Sequence, residues 1–142
     1  MSSISGRCAC GEVSWQSDAD VLWSAICHCE DCRRAASADQ VSWLGLPREE
    51  VQWTGERKFH KSSAGVQRGF CPACGSHVSF ESDAFPQEVH LYAVTLDDLE
   101  RYRPTAHIFW PRKVPWFTLG QDIACFDRGL PDAASRGEDQ TG

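Results

Sequence analysis

Cys71-Pro72-Ala73-Cys74-Gly75 is the stretch that decides the fold, because it has a counterpart near the start of the chain, Cys8-Ala9-Cys10-Gly11. Two residues between the cysteines let one tight turn aim both sulfurs at a single ion. Pro72 fixes φ early in that turn, and Gly75 supplies a residue that adopts positive φ without strain. The N-terminal pair is tighter, with Ala9 alone between its cysteines, and again ends Cys-Gly. Four sulfurs in two such knuckles make a closed tetrahedral site, the way proteins use zinc for structure. Zinc at Cys8, Cys10, Cys71 and Cys74 would tie the N-terminal strand to a central hairpin. The competing reading of Cys71 and Cys74 is a redox dithiol, but that motif opens a helix in a βαβ unit, and the flanks here have strand character.

Between the pairs runs Cys27-His28-Cys29-Glu30-Asp31-Cys32-Arg33-Arg34. Three thiolates occupy three corners of a tetrahedron and leave a fourth position for water or substrate, the arrangement of catalytic zinc. In an extended strand His28 points away from its neighbours, so it is not counted as a ligand. Cations beside thiolates lower the cysteine pKa and suit an anionic substrate, which makes Arg33 and Arg34 candidates; the alternative for both is a solvated surface charge. The site could also be closed by a histidine or by Cys125, although Cys125, in Ile123-Ala124-Cys125-Phe126, reads more simply as a small buried thiol.

The rest of the chain predicts a mainly β fold. Short stretches with strand character recur at Gly11 to Gln16, Val21 to Ile26, Gln40 to Leu46, Val51 to Trp53, Phe59 to Ala64, Val66 to Phe70, Ser76 to Glu81 and Val89 to Val94. Arg33 to Asp39 reads as a loop or one helical turn, Thr95 to Leu99 as a second turn, and His107 to Leu119 as extended chain broken by Pro111 and Pro115. The expected organisation is one domain over residues 1–127 and a disordered polar tail over 128–142. A 42% apolar composition permits a core, and a net charge of −6 argues against a nucleic-acid partner. With no apolar leader and no span of ~20 apolar residues, the chain is expected in the cytoplasm and off the membrane, where cysteines stay reduced and free to bind metal.

In order, the blocks Gly6-Arg7-Cys8-Ala9-Cys10-Gly11, Cys27 to Arg34, Arg68 to Ser76, and His107-Ile108-Phe109 with Val114-Pro115-Trp116 resemble the glutathione-dependent formaldehyde-activating enzymes. Val94-Thr95-Leu96-Asp97-Asp98 is also similar to a turn of that family. The resemblance runs from Gly6 to about Trp116. It implies several small coiled antiparallel β-sheets stapled by zinc, a fold shared with zinc chaperones of Rab GTPases. It implies one structural zinc on Cys8, Cys10, Cys71 and Cys74, and a second, weaker one on Cys27, Cys29 and Cys32. The implied activity is a carbon–sulfur lyase reaction joining a small thiol such as glutathione to an aldehyde such as formaldehyde, or its reverse. His107 is the candidate proton donor, the alternative being a histidine packed beside Phe109 and Trp110. One departure stands out: Ala36 lies where the family has glycine, which would restrict φ and fill space near the second metal. Two non-catalytic readings stay open. One is a zinc-stapled scaffold presenting a groove of Trp43, Trp53 or Trp110 to a protein, and the other is a stress sensor that releases zinc on oxidation.

Overall fold

Strand β1 (Ile4–Arg7) turns through the first cysteine knuckle into β2 (Ser14–Ser17), and β5 (Gln52–Thr54) completes a three-stranded antiparallel sheet in the order β1-β2-β5. The computed structural model describes residues 3–117 and residue 128. A second sheet has seven strands in the order β10-β3-β4-β9-β8-β7-β6. Its members are β3 (Trp23–Cys27), β4 (Val41–Pro47), β6 (Lys58–Ser63), β7 (Val66–Phe70), β8 (His77–Ser82), β9 (Glu88–Tyr92) and β10 (His107–Ile108). All pairings are antiparallel except the short one between β10 and β3. The fold is thus mainly β, with its strands collected into two sheets among the described residues.

Tryptophans set how the layers pack. Trp15 of β2 is 2% exposed and lies over Gly6, where an added Cβ would come within 2.6 Å of its ring. Its indole N–H donates to Thr95 Oγ1 at 3.0 Å, so the buried ring keeps its one polar group satisfied. Ile4, Trp15, Leu44, Leu46, Val89 and Leu91 form the core between the two sheets. A second cluster gathers Cys27, Cys32, Val41, Trp43 and Tyr92, and a third holds Cys8, Val13, Cys71 and Val78. Both cysteine groups are therefore rooted in apolar packing.

The single α-helix among the described residues, α1 (Glu30–Ala36), starts three residues before the expected turn and takes in Cys32. Its N-cap is Cys29, whose sulfur accepts from the Cys32 N–H at 3.4 Å. The left-handed residue that ends it is Ser37 (φ 52°), not Ala36. Ala36 is accommodated as an ordinary helical residue, and the strain expected there does not arise. After β9 the chain makes two 3-10 turns, Ala93–Thr95 and Leu99–Arg101, in place of the one turn expected at Thr95 to Leu99. Among the described residues of the last expected extended stretch, only His107–Ile108 is strand, and Trp110–Arg112 is a 3-10 turn. Cys125 lies outside the described residues, as does the expected polar tail apart from Arg128. No helix among the described residues is long and apolar enough to cross a membrane.

His90 of β9 carries a prediction about pH. It is 8% exposed, stacked on Phe80 (centroids 5.5 Å), edge-on to Trp23 (4.6 Å), and hydrogen-bonded to Glu88 at 3.0 Å. Burial holds its imidazole below the usual 6.5, against the pull of the Glu88 carboxylate, and Arg48 adds to the lowering. The unfolded chain then takes up a proton near pH 6.5, while the folded chain takes it up only at lower pH. Stability is full above that value and falls as the pH drops toward the folded pKa. Denaturant midpoints measured from pH 8 to 5 should decline below about 6.5, and His90→Gln should flatten that limb.

Candidate metal centre

The closed site forms where the turn after β1 meets the turn between β7 and β8. The sulfurs of Cys8, Cys10, Cys71 and Cys74 all lie within 4.8 Å of one another, as expected from the knuckles. Cys8 Sγ is 3.6 Å from Cys10 Sγ, and Cys10 Sγ is 3.7 Å from Cys71 Sγ. Thiolates on a tetrahedral ion at ~2.3 Å stand about 3.8 Å apart, so the four sulfurs fit a zinc-sized ion. The two knuckles repeat one design: Gly11 N–H donates to the Cys8 carbonyl (3.2 Å) and Gly75 N–H to the Cys71 carbonyl (2.8 Å). Both glycines have positive φ, +84° and +78°. The Ala9 N–H donates to Ser76 Oγ at 3.1 Å and joins one knuckle to the other. Cys8 and Cys71 are buried, whereas Cys10 and Cys74 are exposed.

Ionisation within the site is uneven. Burial and Cys74 oppose charge on Cys8, yet the Val13 N–H at 3.3 Å and the sulfurs of Cys10 and Cys71 bring its pKa below the ordinary thiol value. The Ser76 hydroxyl at 3.1 Å is the main cause that lowers Cys74 to about 5. Cys10 is raised to about 12: the Glu12 backbone lowers it, but slight burial and the other three sulfurs outweigh that. One set of sulfurs holds charge at the expense of its neighbours, a conflict that a bound cation removes.

The second group is built locally. Cys27 ends β3, Cys29 caps α1, and Cys32 sits in the first turn of α1, with all three sulfurs within 4.8 Å of one another. Cys27 and Cys32 are buried and Cys29 is half-buried. Hydrogen bonds from Cys27 and Cys32 pull Cys29 down to about 2, and the same bonds push Cys27 far up. Three soft sulfur donors in so small a space suit a thiophilic ion. No fourth His, Cys, Asp or Glu joins this group among the described residues.

Arg68, in the middle of β7, was not among the expected site residues. It is 5% exposed, and its Nη1 and Nη2 donate to Cys32 Sγ at 4.0 and 3.9 Å. Its Nε donates to Ser62 Oγ at 3.2 Å, and the guanidinium lies 5.0 Å from the Phe80 ring centre. The signal was present in the pattern: Val66, Arg68 and Phe70 alternate on one face, which puts a charge where a core residue belongs.

The expected proton donor and substrate-binding arginines make contacts of their own. Arg33 is half-buried and donates from Nε to the His28 carbonyl at 3.1 Å. Arg34 is a surface residue with a 3.7 Å ion pair to Glu30 one turn back. His107 is exposed, and its Nδ1 is 2.9 Å from Nε2 of the fully buried His28. The register pairs His107 with Ile26 and Ile108 with Cys27. Strand alternation therefore gives the Cys27 face to Ile108, and no described contact joins His107 to a sulfur. His28 is turned toward His107, Trp110 and Phe117. The tryptophan groove does not form as an exposed surface. Trp43 is 4% exposed, Trp53 lies under Arg57 at 3.6 Å, and Trp110 packs on the histidine pair.

Fold and sites together define a mainly β protein with two sulfur-lined metal-binding clusters. The family model described as glutathione-dependent formaldehyde-activating enzyme matches residues 3–112, and the chain belongs to that family. Among solved structures it is similar to a Rhodobacter sphaeroides protein from a structural genomics programme, with 16% identity and a TM-score of 0.57 over 72% of this chain and 98% of the other. That likeness concerns the fold. A search of curated proteins finds no match.

Proposed function

We propose that the protein is a zinc-dependent, carbon–sulfur lyase-like enzyme joining a small thiol of the glutathione kind to an aldehyde such as formaldehyde, or running the reverse cleavage. The thiol sulfur bonds to the carbonyl carbon, and the proton given up by the thiol ends on the oxygen. The observation that carries this reading is the three-sulfur group of Cys27, Cys29 and Cys32, with no fourth protein ligand among the described residues. Zinc held there would offer one open position at which a thiol is ionised at neutral pH.

The protein's own groups supply the rest. Cys29, as the cap of α1, fixes the helix start and with it the placement of Cys32. Arg68 places a fixed positive charge against Cys32 and balances the surplus negative charge of three thiolates around a divalent ion. His107 is the proposed proton donor to the new alkoxide, and Arg33 or Arg34 the proposed partner of a carboxylate on the thiol, although no described contact joins any of them to a sulfur. The zinc-stapled cluster at Cys8, Cys10, Cys71 and Cys74 is structural.

Cys29→Ser tests the reading. The variant should bind one zinc where the parent binds two, and should lose hemithioacetal formation across a panel of aldehydes with glutathione. Loss of one zinc at an unchanged rate rejects the catalytic role of the second centre.

A further inference from the structure

Four buried side-chain polar atoms among the described residues have no hydrogen-bond partner: His28 Nδ1, Gln40 Oε1, His77 Nδ1 and the Tyr92 hydroxyl. The last three belong to residues lining one cleft of about 770 Å³. An unpaired buried polar group is destabilising, so three on the walls of one cleft mark a place shaped for something that completes them. The rings of His77 and Tyr92 are 5.8 Å apart, and Tyr92 is 4% exposed.

The cleft adjoins the three-sulfur centre. Val41, Tyr92 and Ala36, which help line it, also pack in the cluster that holds Cys27 and Cys32. Cys8, Ala9 and Ser76 of the closed-site knuckles line it as well. Its charged lining residues are Arg7 and Asp97. These lie 3.9 Å from each other, and Arg7 also donates to the carbonyls of Cys8 and Ala9 at 3.1 and 3.2 Å. Burial, with Arg68 behind it, lowers the His77 pKa and keeps that imidazole neutral. Burial raises the Tyr92 pKa against the pull of the neighbouring Arg68, so the hydroxyl keeps a proton to donate.

A phosphate or carboxylate is a poor match, since it would face Gln40 Oε1, an acceptor, without a free cation beside it. An amide offers what the walls lack, an N–H for an acceptor and a carbonyl for a donor. We propose that this cleft binds the amide portion of a small molecule, with the Tyr92 hydroxyl donating to its carbonyl, Gln40 Oε1 accepting its N–H, and His77 Nδ1 pairing a second polar group. This rests on the proposed reaction to the extent that a peptide thiol seated here lies against the wall of the three-sulfur centre.

The probe is S-methylglutathione, which has two amides and no free thiol to ionise at a metal. Calorimetry on the full, zinc-loaded chain should show saturable binding, weakened about tenfold in Tyr92→Phe and in Gln40→Leu, one hydrogen bond in each case. Tyr92→Phe should leave the thermal midpoint of the unliganded protein unchanged or higher, since it removes an unsatisfied hydroxyl; a merely structural tyrosine would show a lower one. Absence of binding, binding indifferent to both substitutions, or displacement by millimolar acetate alone overturns the assignment. Condensation activity without S-methylglutathione binding rejects the cleft and spares the reaction. Binding without condensation does the reverse.

Discussion

Cys71→Ser should abolish the folded state at room temperature. Cys71 is 0% exposed and serine is close to it in volume, so the packing loss alone is small. The metal term is large: structural zinc sites contribute about 10–16 kcal/mol of apparent binding free energy, while whole domains are stable by only about 5–15 kcal/mol. The expected result is a chain with little near-ultraviolet dichroism and no cooperative melt, matched by the parent after exhaustive treatment with a strong chelator. A folded Cys71→Ser protein retaining both zinc ions would show that the four-sulfur group is not the staple.

Arg68→Met should have the next largest effect. The substitution leaves a buried thiolate centre without its counter-charge, and breaking a buried pair by deleting one partner costs about 3–5 kcal/mol. It also leaves Ser62 Oγ without its donor, while methionine still fills the space over Phe80. Zinc affinity at the second centre should fall about 10–100-fold, the usual result of losing a partner that supports a metal ligand. Competition with a chromogenic chelator measures that, and urea unfolding measures the stability. Arg68→Lys should recover part of both, because it restores a charge but not the two-pronged geometry. Unchanged zinc affinity in Arg68→Met would remove the guanidinium from the account of the site.

Much of this was legible in the chain because the signals were local. The β7–β8 hairpin is written in two short runs flanking a Cys-Gly knuckle, and it formed within a residue of the expected limits. Both cysteine groups followed from spacing alone. Strand β1 was missed: Ile4-Ser5-Gly6-Arg7 has little strand propensity, and Gly6 is there because Trp15 leaves no room for a side chain. Helix α1 was placed late because its cap is a cysteine rather than Ser, Thr, Asp or Asn. Arg68 and Tyr92 are 36 and 60 positions from Cys32, on strands that read simply as strands, and only the sheet order brings them to it. Arg33 and Arg34 drew attention because they adjoin ligands in sequence. On a helix that adjacency turns them to other directions, and they found a backbone carbonyl and a surface glutamate.

The two cysteine groups differ in how far the chain must travel to close them. Cys10 and Cys71 are 61 residues apart, and their ion encloses a loop that includes most of both sheets. Cys27, Cys29 and Cys32 need only a strand end and one turn of helix. Ions bound at the two would therefore be released by different events under gradual denaturation. One at the first would leave with global collapse of the architecture, while one at the second would keep its three sulfurs on a single short peptide and lose the Arg68 charge.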